Sequence, residues 1–428
     1  VLDAVDRPVS DQTPAGVHRT TCTNGLTVLS EYIPGRRTVA FGVWVRFGTL
    51  HEARAQMGLA HLLEHMVFKG TAHRTARDLA FALETLGGSL DAYTEREFTS
   101  YQARVLDRHL DEAVDVVGDL VFHPTLAEDD LALERQVILE EIAMVDDTPD
   151  DLVFDLHNEA LWGEHPHAYR ILGTRETVQG LDTSHLRTLR AAHYQPAQLV
   201  VAAAGNVTQA QLLEALERSG WLAQPAAPVS PTPIAPAIPR LGVHVHQLRK
   251  DIAQVHVVLG GHATAVGDRR RHAFGLLGTL LGGGMSSRLF QRVREELGYA
   301  YSVYHFHAPH ADVGSHGVYF ASAPETAQKA LDAVRAVLAE VATHGLPPEE
   351  LEAGKRQLAG QLVMSLESVS ARMYRAATSA LYHLPVRSID DMLAEVDAID
   401  GDTVAALARE YFDPECMTLV SHGPRPVR

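Results

Sequence analysis

Two histidines and a glutamate fall within five residues of an apolar stretch, Gly58-Leu-Ala-His61-Leu-Leu-Glu64-His65-Met-Val-Phe68-Lys69-Gly70. On a helix, residues four apart lie one above the other, so His61 and His65 can offer imidazole nitrogens to a single ion. Imidazole suits zinc, and Glu64, about a third of a turn from His65, can reach a water beside the metal without having to bind it. A catalytic zinc takes three protein ligands and keeps one position open. The helical spacing of Leu131, Ile138 and Ile142 supplies a candidate for the third: Glu141 stands 76 residues beyond His65, with Glu134 two turns earlier on the same face.

This pattern resembles the inverted zinc metallopeptidases of the M16 family (pitrilysin, insulysin, mitochondrial processing peptidase), whose signature is H-x-x-E-H followed by a distant glutamate. The string from His61 to Thr71 looks most like the processing-peptidase branch, M16B. The resemblance implies that His61, His65 and Glu141 bind zinc and that Glu64 is the general base. Glu134 matches a family acid that holds a ligand histidine in one tautomer.

The elements that must position these groups can be read around them. Thr27 to Ile33 and Val39 to Phe47 read as strands joined by the turn Pro34-Gly35, a hairpin leading into the zinc helix. Thr75-Ala-Arg-Asp78 resembles a capping box, and the helix it starts ends at Gly87-Gly88. The run from Ser89 to Tyr101 has strand-type residues. In the resembled family the matching segment is an edge strand that pairs with substrate backbone, which gives Asp91, Ala92 and Tyr93 a substrate-contact role, with Phe68 near the side-chain pockets. Asp91 departs from the family's usual asparagine, and a carboxylate there could favour basic substrate residues. Further helices are expected over Leu110 to Val121, from residue 152 and near Ser184 to His193, with a strand over Leu199 to Ala204; His165 and His167 read as a surface loop.

At 428 residues the chain is too long for one core and suits two domains of about 200 residues each. Hydrophobic residues make up 46% and charged residues 21%, the composition of a globular protein. A net charge of −17 argues against nucleic acid as a partner. Cys22 and Cys416 have no metal-type spacing and read as buried free thiols. No run is long and apolar enough for a membrane span and the start lacks a signal peptide's pattern, so a cytoplasmic location is expected.

Prolines at 225, 228, 231, 233, 236 and 239 mark an extended linker over residues 224–240, between an N-terminal zinc domain (1–223) and a C-terminal domain (241–428). Beyond it the order of elements recurs. Leu126, Leu131, Glu134 and Glu141 line up with Leu346, Leu351, Gly354 and Gln361, an offset of 220 residues, and no H-x-x-E-H recurs. The expected fold is therefore α+β: two homologous units, each a mainly antiparallel sheet flanked by helices, only the first holding metal.

The resembled family places an arginine and a tyrosine, seven apart, in the second half, to grip peptide carbonyls and the developing oxyanion. Arg294 and Tyr301 fit, and Arg292 and Tyr299 share the spacing. His305, His307 and His310 form a further cluster with no carboxylate or cysteine to complete a metal site. The expected function is a zinc-dependent endopeptidase acting on oligopeptides or unfolded segments, assembled as a homodimer; the alternative is a non-catalytic core or substrate-holding subunit of the same family.

Overall fold

The computed structural model describes residues 16–227 and 234–428, together with the backbone of 9–12. The chain runs β1 (Val9–Gln12), β2 (Val17–Thr21), β3 (Thr27–Tyr32), β4 (Thr38–Val45), α1 (Leu59–Val67), α2 (Ala76–Glu84), β5 (Ser89–Thr94), β6 (Thr99–Leu106), α3 (Leu110–Phe122), α4 (Glu128–Asp146), α5 (Pro149–Trp162), α6 (Arg175–Gly180), α7 (Thr183–His193), β7 (Leu199–Gly205) and α8 (Gln209–Arg218). It continues with β8 (His244–Leu248), β9 (Val255–Ala263), α9 (Arg271–Gly282), β10 (Ser302–Ala308), β11 (Gly314–Ser322), α10 (Ala327–His344), α11 (Pro348–Ser365), α12 (Val369–Leu381), α13 (Ile389–Asp397), α14 (Gly401–Tyr411) and β12 (Thr418–Gly423). The order of strands in the two sheets is β1-β2-β3-β7-β4-β6-β5 and β10-β11-β9-β12-β8. One parallel pair stands in each, β3 with β7 and β12 with β8, and the other pairs are antiparallel. Two α+β units with mixed, mainly antiparallel sheets are thus present, as expected.

In the first unit, strand alternation sends Val39, Phe41, Val43 and Val45 into a core shared with α1, α3 and α8. The other face of the sheet is also covered. Ala40, Trp44, Val200, Ala202 and Ala204 pack against Val369, Met373, Ala376, Ala377 and Ala380 of α12, a helix from the far end of the sequence. Burying a side chain the size of Met373 is worth roughly 1.5–3 kcal/mol, and a buried ion pair adds to the docking: Glu31 holds Arg372 at 2.7 Å and Arg375 at 3.1 Å. The second unit repeats this plan. Its sheet has one face on α9, α10 and α14, and Val258, Tyr319 and Val420 on the other face meet Val153 and Ala160 of α5.

The compact units therefore differ from the domains expected from sequence. Among the described residues, the first lies within 1–142, 170–234 and 364–389, and the second within 143–169, 235–363 and 390–428. Each sheet is apolar on both faces, so each needs a second covering helix, and that helix comes from the other half of the chain. Of the expected linker, residues 228–233 lie outside the described residues.

Three further expectations change. β3 and β4 form no hairpin, because β7 lies between them. β7 is buried along its whole length, and a strand without a polar face fits the middle of a sheet. His167 is fully buried and bonds Asp312 at 3.1 Å through Nε2, so it is no surface-loop residue. Cys22 is a buried free thiol as expected, whereas Cys416 is exposed. No helix among the described residues is long and apolar enough to cross a membrane.

Candidate active site

The helix that carries the two histidines starts abruptly. Gly58 at its N-cap has φ +91°, a left-handed conformation, and a Cβ there would come 2.7 Å from the Leu172 carbonyl oxygen. Only glycine fits without strain. Lacking a side chain, Gly58 cannot cap the helix, and the carboxylate of Glu52 does so instead: its oxygens accept from the N–H groups of Gly58 at 2.9 Å and Ala60 at 2.7 Å. Burial pushes the Glu52 carboxyl up to about 8, against the opposing pull of these backbone donors.

α1 buries Leu59, Leu62, Leu63, Met66 and Val67 and turns His61, Glu64 and His65 to a partly open face. Glu141 Oε2 lies 3.8 Å from His61 Nε2 and 3.7 Å from His65 Nε2. Ligand atoms on a tetrahedral zinc, held at about 2.0–2.1 Å, sit roughly 3.4 Å apart, so the three converge at nearly the separation the ion requires. Burial, and then the neighbouring His65, hold His61 down to about 3, keeping it as the neutral imidazole that ligates. Its buried Nδ1 has no hydrogen-bond partner among the described residues, while His65 Nδ1 lies 3.0 Å from Glu134 Oε2. That contact fixes the His65 tautomer with Nε2 free to ligate. The donor set and its geometry fit zinc.

Glu64 lies beside this convergence. Its Oε2 accepts a 2.6 Å hydrogen bond from Thr94 Oγ1, and burial raises its pKa, a shift the Thr94 bond opposes. Two supporting groups were missed in the sequence. Thr94 is the strand residue after Tyr93. Lys69 lies one turn after His65, and its Nζ meets Glu134 Oε1 at 2.5 Å, so helical spacing pointed to it.

Among the described residues β5 is the sheet edge, as expected, pairing only with β6. Alternation splits its residues between two faces. Leu90 and Ala92 pack on the core beneath α1 and Thr94 reaches Glu64, whereas Tyr93 packs with Trp44 and Phe98 on the α12 side. Asp91 shares the parity of Tyr93 and is exposed. The face reading Ala92 is thus separate from the one carrying the Asp91 carboxylate. Phe68 lines a cleft beside the strand with Leu79, Leu83 and Leu90.

In the second unit, the Arg294 guanidinium lies 4.2 Å from the centre of the Tyr301 ring and 4.6 Å from that of Phe290. Tyr301 is 74% exposed. Arg292 is tied to Glu296 at 2.6 Å and Tyr299 packs partly buried on the core, whereas Arg294 stacks on the exposed Tyr301. Arg294 sits in a π-helical turn, Phe290–Glu296, an irregularity frequent at functional sites. At the position equivalent to Glu134, Gly354 is packed against Leu280, and Gln361 is exposed. Among the described residues no group of three placed to hold a metal includes His305, His307 or His310; His305 instead meets His316 at 3.3 Å.

A duplicated α+β fold in which one unit brings two helical histidines, a glutamate from a second helix and an adjacent carboxylate to a single point defines a class of metallopeptidase architecture. A family model described as insulinase (peptidase family M16) matches residues 27–175, and one described as the peptidase M16 inactive domain matches 181–358. An uncharacterized zinc protease of Streptomyces coelicolor is 42% identical over 404 residues, 92% of this chain and 87% of the relative. The uncharacterized zinc protease YmxG of Bacillus subtilis is 36% identical over 408 residues, 95% of this chain and 98% of its own. The chain belongs to peptidase family M16. Its fold is that of a Helicobacter pylori protease (TM-score 0.90, 20% identity, covering 97% of this chain and 100% of the other) and of a peptidase M16 inactive domain from Pseudomonas fluorescens (TM-score 0.88, 22% identity, 96% and 98%).

Proposed function

We propose that the protein is a zinc-dependent endopeptidase that cuts extended oligopeptides or unfolded segments. The observation that carries this reading is the convergence of His61 Nε2, His65 Nε2 and Glu141 Oε2 with Glu64 alongside. Zinc held by these three would supply Lewis acidity, polarising the scissile carbonyl and acidifying water. Glu64, partly desolvated and oriented by Thr94, is placed to take a proton from the attacking water and deliver it to the leaving amine.

The free edge of β5 can receive substrate as an added strand, a mode that reads main-chain amides and accepts many sequences. Side chains alternate along such a strand, and the Phe68 cleft offers an apolar pocket for one of them. Arg294, stacked on the exposed Tyr301, and Tyr301 itself have the chemistry to hold peptide carbonyls. Assembly as a homodimer and a cytoplasmic setting belong to the same reading.

The test compares the isolated protein with a Glu64→Gln variant for zinc content and for cleavage of a quenched fluorescent peptide library. One zinc bound at this site in both forms, with cleavage only by the unmodified protein, supports the endopeptidase and its base. Zinc at the site with no cleavage by either form favours the alternative, a substrate-holding or core subunit.

A further inference from the structure

Asp119 lies on α3 with its side chain 3% exposed. Its Oδ2 is satisfied, accepting from Thr71 Oγ1 at 2.5 Å and from Arg74 Nη1 at 2.8 Å. Its Oδ1 is buried and has no hydrogen-bond partner among the described residues. An unmatched buried carboxylate oxygen is costly, and two imidazoles face this one: His123 Nδ1 at 3.6 Å and His73 Nε2 at 4.0 Å. Both distances are too long for a hydrogen bond.

The backbone brings these rings together. His123 follows Asp119 by four residues and closes α3, while His73 stands in the turn between α1 and α2. That turn is fastened to the end of α3: the Ala72 N–H donates to the His123 carbonyl at 2.8 Å, and Thr71 and Arg74 close on each other at 2.8 Å. Thr71 Oγ1 also accepts from the His73 N–H at 3.1 Å. The His73 and His123 side chains are 63% and 42% exposed, so the rings can turn while their anchors stay fixed.

We propose that His73, Asp119 and His123 form a second transition-metal site, distinct from the His61, His65 and Glu141 site. One ligand atom from each residue lies within 4.8 Å of the others. Ligand atoms on a tetrahedral zinc sit roughly 3.4 Å apart, so small rotations of two exposed rings bring all three onto one ion. Two imidazoles with one monodentate carboxylate select zinc-like cations over magnesium or calcium. Arg74 is shared between Asp119 and Asp115, which it meets at 2.5 Å, so these three residues together carry one net negative charge to receive a cation. The ion would staple the turn after the zinc helix to the end of α3, with its open side toward solvent.

The experiment removes the first site so that the second is read alone. In a His61→Gln/His65→Gln protein, stripped with chelator and checked for native circular dichroism, Zn²⁺ is titrated against a chromophoric competitor, and Co²⁺ binding is followed by its visible bands. The expected result is one tightly bound equivalent per chain, histidine-type Co²⁺ bands, and a rise in thermal midpoint with Zn²⁺ but not Mg²⁺. Adding His73→Gln and His123→Gln, both at exposed positions, should remove that equivalent, the bands and the thermal rise. Absence of the equivalent in the His61→Gln/His65→Gln protein overturns the proposal. Its persistence after the two further changes does so as well, since the ion would then lie on other surface histidines. None of these three readouts depends on peptidase activity, so the outcome is independent of the proposed function.

Discussion

Glu134 links His65 to Lys69: one carboxylate oxygen lies 3.0 Å from His65 Nδ1 and the other 2.5 Å from Lys69 Nζ. The bridge fixes which imidazole nitrogen faces Glu141. Replacing Glu134 by Gln should lower zinc affinity by roughly 10- to 100-fold, measured by competition with a chelator. An unchanged affinity would show that packing alone orients His65.

Thr94 tunes the candidate base. Its hydroxyl donates to Glu64 Oε2 and lowers a pKa that burial raises. Thr94→Val keeps the shape and removes the donor, so the Glu64 pKa should rise. The base must be ionised to act, and the acid limb of the kcat/KM profile should therefore move to higher pH. A limb that stays in place would mean Glu64 does not set it.

Glu52 makes stability depend on pH. Its folded-state carboxyl is raised from 4.5 to about 8 by burial. Between those values the native chain binds more protons than the unfolded chain, so this group's contribution falls as pH rises through the window. Urea unfolding from pH 5 to 8 should show the parent protein losing stability relative to Glu52→Gln. Parallel curves would indicate that Glu52 is ionised throughout.

The docking of α12 rests partly on Glu31, whose side chain is 6% exposed and pairs with Arg372 and Arg375. Removing one member of a buried cluster strands the others. Glu31→Ala should cost about 3 kcal/mol in urea unfolding. The comparison is Glu367→Ala, which breaks an ion pair whose carboxylate is 71% exposed and should cost under about 1 kcal/mol. Equal losses would show that apolar packing alone holds the helix.

By itself the sequence determined the candidate site. His61, Glu64 and His65 share a helix, where spacing dictates geometry, and Glu134 and Glu141 share another, so each half of the site could be read from a local period. The capping box at Thr75 and Asp78 and the duplication were legible for the same reason: they depend on near neighbours or on repeated pattern.

Tertiary structure decided what joins distant segments. Nothing near β7 in sequence shows that it enters between β3 and β4, since an apolar strand can serve any sheet that buries both its faces. Nothing local shows that α12 and α5 cover the sheet of the opposite sequence half, because an amphipathic helix specifies a partner's polarity and not its identity. The stacking of Arg294 on Tyr301 likewise waited on the fold. Spacing admits both pairs, and only three-dimensional packing lays Tyr299 partly buried against the core and stacks Arg294 on Tyr301.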